Sequence, residues 1–218
     1  MVDFAAARQH MVDSQIRTNK VTDPRIIEAF EAVPREQFVG DVLRGIAYVD
    51  EDLEVAPRRF LMEPMVLARM VQAAQPEPGD MILDVGCATG YSTAVLAGLA
   101  ETVVGLDHDH ALVEQANATL NALDLDNAVV VEGALQGGYA KQAPYNVILL
   151  QGAVNEVPAA IKGQMAEGGR LAAVVLDDTG IGRATLIERS GEIFSTRKLF
   201  DAAIPLLPGF EREAGFVF

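Results

Sequence analysis

Two carboxylates and a turn of very small residues form the part of this chain best suited to chemistry. Residues 82–97 read ILDVGCATGYSTAVLA, with the spacing Asp84-x-Gly86-x-Ala88-x-Gly90. A turn without bulk lets backbone approach a ligand that a Cβ would push away. The middle glycine of a G-x-G-x-G turn is alanine here, and by itself such a turn is a weak signal, since glycine also serves wherever φ is positive. Its setting strengthens it. An apolar run precedes it and a helical pattern follows. A second apolar run, VVGLD, ends in Asp107, seventeen positions beyond Gly90. In open parallel sheets, a carboxylate at the end of the second strand accepts hydrogen bonds from ribose hydroxyls. The competing role for Asp107, capping the next helix, is equally open to Asp109. Turn and acid together point to a bound nucleoside.

The flanking residues narrow the choice. A dinucleotide turn carries a third glycine that packs helix on strand. Here Thr89 stands three positions after Gly86, and Tyr91 three after Ala88. Asp84, just before the turn, would repel a pyrophosphate. It suits a ligand with a positive amino group and a sulfonium, which is S-adenosylmethionine. Cys87 is a small residue in a tight turn, with no histidine placed to activate it as a nucleophile. His108-x-His110 offers metal-binding residue types without further ligands at fitting spacing, so no metal is expected. His108 follows the ribose acid and is placed to line an adenine pocket. Gln151 ends the fourth strand, on the reaction side of such folds.

The elements that must position these residues are readable in outline. Beyond Pro76-Glu77-Pro78-Gly79-Asp80 the pattern alternates. MILDVG, TVVGLD, AVVVEG, YNVILLQG and RLAAVVL read as strands. Between them, YSTAVLAGLA, ALVEQANATLNAL and a segment near Val157–Met165 read as helices. Alternation of this kind predicts an α/β fold, a doubly wound and mostly parallel sheet covered on both faces. RATLIER, a Ser190-Gly191 turn and EIFSTRKLF predict an antiparallel hairpin at the C-terminal end. AIPLL and GFVF are expected to add a strand or two. Before the break, Asp23-Pro24 starts a helix that Pro34 stops, and Glu63-Pro64 starts another running to about Ala74. Gly45 to Arg59 reads as a charged, irregular stretch. The expected division is residues 1–78, a helical extension with a substrate-side loop, and residues 79–218, the nucleoside-binding domain.

Bulk composition excludes some functions. The net charge is −14, from 17 Lys and Arg against 31 Asp and Glu. Nucleic-acid backbones and anionic membranes are poor partners for such a chain. A single cysteine permits no internal disulfide and fits a reducing compartment. No apolar run approaches the length of a membrane span, and the N-terminus does not read as a signal peptide. A cytoplasmic protein is expected.

DVGCATGYSTAVLA resembles the glycine motif of class I S-adenosylmethionine-dependent methyltransferases. More specifically, the chain resembles the protein-L-isoaspartate O-methyltransferases over most of its length. DSQIRTNKVTDPRIIEAFEAVPREQFV, AYVDEDLEV, APYNVILLQGAVNEVP and GGRLAAVV carry that resemblance, and VPREQFV is more telling than the glycine turn. The resemblance implies a Rossmann-like fold, S-adenosylmethionine as cofactor, and isoaspartyl-containing protein or peptide as substrate. It assigns the cofactor motif to Asp84, Gly86, Gly90 and Asp107 and places Gly133-Ala134-Leu135 at the adenine; Cys87, Ala88, His108 and Gln151 join the cofactor-binding candidates by their position in the turn and at the strand ends.

The chain departs from the family's pattern at three places, of which Asn146 in place of an Asp is expected to matter little. Gly133-Ala134-Leu135 stands where the family has Gly-Asp-Gly, so the Ala134 side chain cannot accept from the adenine amino group; the lost bond costs about 1 kcal/mol, or about fivefold in affinity. Arg58-Arg59-Phe60-Leu61-Met62-Glu63-Pro64 replaces a Gly-Gln-Thr-Ile-Ser-x-Pro loop. Phe60 and Met62 take the places of hydroxyls associated with the substrate carboxylate. Arg58 or Arg59 is the candidate replacement clamp, and a solvated linker pair is the alternative. The leading expectation is isoaspartyl carboxyl methylation. The alternatives are a methyltransferase with another substrate, motivated by Phe60 and Met62, and a non-catalytic cofactor-binding or scaffold protein of the same fold, motivated by Ala134 as well.

Overall fold

The structure, a computed structural model, describes residues 2–212. Seven strands form the central sheet: β3 (Met81–Val85), β4 (Thr102–Asp107), β5 (Ala128–Glu132), β6 (Tyr145–Val154), β7 (Met165–Leu176), β8 (Gly182–Ser190) and β9 (Ile193–Asp201). Their order is β5-β4-β3-β6-β7-β8-β9. The pairs from β5 through β7 are parallel, and β7-β8 and β8-β9 are antiparallel. The chain steps outward from β3 to β5, then returns to the other side of β3. The reversal leaves a crevice at the carboxyl ends of β3 and β6, where ligands bind in open α/β sheets. Asp84, Gly86, Asp107 and Gln151 all lie at that end.

Strand alternation sorts side chains between two apolar layers. Ile82, Val103, Val147 and Leu149 belong to one cluster, and Leu83, Val85, Leu106, Ile148 and Leu150 to the other. Helices α4 (Tyr91–Ala97) and α5 (His110–Ala122) contribute Val95, Leu96, Leu112 and Leu120 to the first layer. Asp109 caps α5 by accepting from Ala111 N at 2.9 Å, the role weighed against Asp107 in the sequence. Helix α6 (Ala159–Lys162) is shorter than the expected Val157–Met165 segment because β7 begins at Met165.

The N-terminal region forms α1 (Phe4–Met11), α2 (Pro24–Ala32) and α3 (Pro64–Ala74). Asp23 accepts from Arg25 N at 2.9 Å and Pro24 opens α2, as the sequence indicates. Residues on both sides of the Pro76–Asp80 break, among them Ile16, Phe30, Leu67 and Val95, share one apolar cluster. The stretch read as irregular contains a hairpin, β1 (Leu53–Ala56) with β2 (Arg59–Leu61). Its alternation is concealed by Glu54 and the two arginines. AIPLL adds only an isolated bridge, Leu206 beside Ala153, and GFVF lies outside the described residues.

The VPREQF segment ties this region to the glycine turn. Arg35 is fully buried. It donates to Ala47 O at 2.8 Å and to Met62 O at 3.0 Å, and its guanidinium lies 4.5 Å from the centre of the Tyr91 ring. Phe38 meets the same ring edge-on at 5.6 Å. Thr89, inside the turn, donates to Phe38 O at 2.6 Å. Arg35 thus orients the loop before α3 and the helix after the turn together. Arg35→Ala is expected to cost about 3 kcal/mol, because it leaves two buried carbonyls unpaired and removes packing on Tyr91. Arg35→Lys should recover little of this, since an ammonium cannot span both carbonyls and stack. Urea unfolding at pH 7 measures both; a loss below about 0.5 kcal/mol for the alanine variant would refute the assignment.

Candidate cofactor site at the strand ends

Asp107 is the centre of the site. It is fully buried at the end of β4. Oδ1 accepts from His108 N at 2.8 Å and Asp109 N at 3.2 Å. Oδ2 accepts from Ala88 N at 2.8 Å and from the Arg59 guanidinium, with which it forms a buried ion pair. An ionised carboxylate offers about four lone-pair positions. All four are engaged, three of them by backbone amides fixed by the glycine turn and by the chain entering α5.

Asp84 is satisfied from within as well. Ser92 Oγ and Thr93 Oγ1 donate to it at 2.6 and 2.7 Å, and Gln151 Nε2 donates at 2.6 Å. Alternation along β3 and β6 puts Asp84 and Gln151 on one face, so their contact follows from register. Burial raises the Asp84 carboxyl above its usual range, opposed by the three donors. Asp84 has no exposed surface with which to meet a ligand, so an amino group would reach it only by displacing Gln151.

The remaining sequence candidates separate into two groups. Gly86 (φ +78°) and Ala88 (φ +50°) form the turn facing the strand ends, and alanine there occupies a conformation that favours glycine. Gly133 donates its N–H to Asp107 O at 2.9 Å, which places the turn after β5 beside Asp107. His108 and Ala134 are exposed at this rim. The side chains of Cys87 and Leu135, by contrast, are buried in the two apolar layers. Burial, then the neighbouring Asp84 and Asp107 carboxylates, pushes the Cys87 thiol well above its usual range. Gly90 (φ +90°) serves packing: a Cβ there would lie 3.0 Å from Ala116 Cβ on α5.

The altered loop is the hairpin β1–β2. Arg58, at its turn, is exposed and pairs with Glu211. Arg59 is buried, and besides Asp107 it donates to Gly86 O at 2.7 Å. In this arrangement both guanidiniums are engaged, Arg58 with Glu211 and Arg59 with Asp107, and the buried Arg59 is not part of a solvated linker pair. Met62 packs into the core and Phe60 is half-buried. One residue absent from the sequence candidates completes the site. A Cβ at Gly86 would lie 2.7 Å from Leu207 Cδ2, and a Cβ at Gly152 would lie 2.6 Å from Leu207 Cγ. Leu207 is therefore wedged between the turn and β6, held by its N–H to Ala153 O at 2.9 Å. Only Gly152, directly after Gln151, hinted at such a close approach. The cavity lined by Arg59, Phe60, Met62, Gln151 and Leu207 measures about 10 Å³. A small-molecule site needs roughly 300–1,000 Å³. A larger groove of about 880 Å³ lies apart, lined by Arg25, Arg69 and Phe200, without any strand-end residue. The described residues contain no group of three or more His, Cys, Asp and Glu placed to hold a metal ion. No helix among them is long and apolar enough to cross a membrane.

Comparison with known proteins identifies the frame. The family Protein-L-isoaspartate(D-aspartate) O-methyltransferase matches residues 6–203. A protein-L-isoaspartate O-methyltransferase of Methylorubrum extorquens is 35% identical over 208 residues, covering 95% of this chain and 91% of the relative. One of Koribacter versatilis is 37% identical over 171 residues, covering 78% and 77%. A solved protein-L-isoaspartate O-methyltransferase superposes with a TM-score of 0.83 at 23% identity, over 93% of this chain and 66% of its own length. A Plasmodium falciparum structure, described as a putative enzyme of the same name in complex with S-adenosyl-L-homocysteine, superposes with a TM-score of 0.76 at 18% identity, over 92% and 97%. At those identities the two structures establish the fold.

An acidic cluster borders the loop. Asp52 accepts from Glu63 N at 2.9 Å and Asp50 from Met65 N at 3.1 Å. Burial, then the neighbouring Asp52 and Asp50, pushes the Glu63 carboxyl up to about 7. A raised carboxyl binds a proton in the folded state that the unfolded chain has lost. Stability should therefore fall as pH rises from about 4.5 to 7, and the cost persists above that. Glu63→Gln is expected to raise the melting temperature at pH 8, with the difference vanishing near pH 4. A pH-independent difference in thermal melts would contradict this.

Proposed function

The chain belongs to the protein-L-isoaspartate(D-aspartate) O-methyltransferase family, and from that premise we propose that it methylates isoaspartyl carboxylates with S-adenosylmethionine as donor. The observation that carries the reading is Asp107. It sits at the end of β4, beside the positive-φ turn that follows β3, one strand from the point where strand order reverses. These residues fit a nucleoside in kind: Asp107 would accept from the ribose hydroxyls and the Gly86–Ala88 backbone would lie against it. His108 and Ala134 flank the position of the base. The cofactor supplies an activated methyl group on a sulfonium.

The chain's own part in such a transfer is positioning. A substrate carboxylate is already ionised at neutral pH, so no residue need act as a base. Rate comes from holding the attacking oxygen in line and excluding water. The β1–β2 hairpin and residues 204–210 cover the strand ends and are the elements placed to do this. The lack of hydroxyls at positions 60 and 62 removes possible hydrogen bonds to substrate, not a proton acceptor.

A second reading rests on the same loop. Phe60 and Met62 bring apolar side chains to a cavity that Asp52, Arg58, Arg59 and Gln151 also line. That favours a methyltransferase of this fold whose acceptor is less polar than an isoaspartyl carboxylate.

The test uses methyl-labelled S-adenosylmethionine with paired peptides, one isoaspartyl and one aspartyl, beside an active family enzyme. Label should enter the isoaspartyl peptide alone, as a base-labile ester. Asp107→Asn, which keeps the side chain's size and part of its hydrogen bonding, should abolish transfer in protein that circular dichroism shows to be folded. No transfer, with the control enzyme active, would set the isoaspartyl substrate aside, and binding of S-adenosylhomocysteine would then separate a methyltransferase with another acceptor from a non-catalytic protein of the same fold.

A further inference from the structure

The nucleoside position is filled by the chain itself. We propose that Arg59 and Leu207 are internal occupants of the cofactor site, and that Arg59 sets cofactor affinity by competing with the ribose for Asp107. The inference rests on the cofactor reading above and adds a residue that decides how readily the site loads.

Three observations carry it. First, the acceptor capacity of Asp107 is saturated. Three of its donors are backbone amides of the frame, and the His108 ring nitrogen lies 3.4 Å from Oδ1, so the guanidinium of Arg59 is the side-chain donor on Oδ2 that can yield a place to a ribose hydroxyl. Second, Leu207 fills the approach that small residues provide at Gly86 and Gly152. The cavity it lines together with Arg59, Phe60, Met62 and Gln151 is only about 10 Å³. Third, the occupants are held from outside the sheet, by elements that can move without unfolding it. Arg59 begins β2, a strand of three residues in a two-stranded hairpin. Leu207 lies in an extended segment joined to β6 by the Ala153–Leu206 bridge and two backbone bonds around Ala153. The two meet at the exposed Arg58–Glu211 ion pair, which solvent screens.

The closed arrangement is also imperfect in a way that favours exchange. Arg59 Nε is buried with no hydrogen-bond partner among the described residues. Withdrawal of the side chain to solvent satisfies that group, while Asp107 keeps three amide donors and gains the ribose. Loading exchanges a guanidinium for hydroxyls at one carboxylate, with no covalent change.

A site open for only a fraction of the time binds with its intrinsic affinity reduced by that fraction. Removing an occupant restores it. The probe is S-adenosylhomocysteine, titrated calorimetrically into wild type, Arg59→Gln and Leu207→Ala. Each variant should bind about tenfold more tightly than wild type, as expected if the open form is about a tenth of the population. Unchanged or weaker binding in both folded variants would overturn the proposal.

A second measurement needs no ligand. Thermal melts of Arg59→Gln, Asp107→Asn and the double variant should be non-additive, the double variant losing no more than the larger single loss. Additive losses would show that the two side chains do not interact, and the proposal would fail. If no protein binds S-adenosylhomocysteine while the melts are non-additive, the cofactor reading and the displacement claim both fall, and the ion pair is a permanent closure.

Discussion

The site depends on a single carboxylate with more potential donors than acceptor positions. Asp107 ends β4 because its strand runs into a helix capped by Asp109, and that route brings two amides onto one oxygen. The glycine turn after β3 brings a third onto the other. A buried carboxylate so placed is stabilised without any cation, so the last position is left to compete for. In this structure Arg59 holds it. The sheet supplies the fixed part of the site, and the hairpin and the segment after β9 supply the variable part.

This division explains how one chain retains the frame of a methyltransferase family while altering its loop. The frame residues are constrained from several sides. Asp84 is tied by Ser92, Thr93 and Gln151, and the turn is tied through Thr89 to Phe38 and through Tyr91 to Arg35. Changing any of them disturbs buried polar groups. The exposed loop residue Arg58 can change with fewer consequences for folding, whereas Arg59 and Leu207 are buried against the frame and change it when they change. Strain at Ala88 is tolerated because its N–H is one of the three that hold Asp107.

Much of the frame was legible in the sequence because its signals are local. Short Val-rich runs separated by helical periodicity specify a parallel sheet, and Asp23-Pro24 and Ser190-Gly191 mark a helix start and a hairpin turn. Asp107 was legible because strand-end position depends only on where an apolar run stops. What was hidden depends on pairing at a distance. The β1–β2 hairpin has charged residues on its open face, so its alternation does not stand out. Arg59 reads as one of two solvated arginines, and its partner lies 48 positions away. Leu207 reads as part of an apolar strand, although its role is to fill the space above two glycines. Cys87 and Leu135 sit within a ligand-binding motif, yet their side chains turn into the core, a choice of direction that spacing alone does not set.

If the proposal holds, a nucleoside and Arg59 exclude each other at Asp107. A crystal structure of the protein grown with S-adenosylhomocysteine would show it: ribose hydroxyls on Asp107, the Arg59 guanidinium withdrawn from it, and Leu207 displaced from between Gly86 and Gly152. A nucleoside bound while Arg59 remains paired with Asp107 would contradict it.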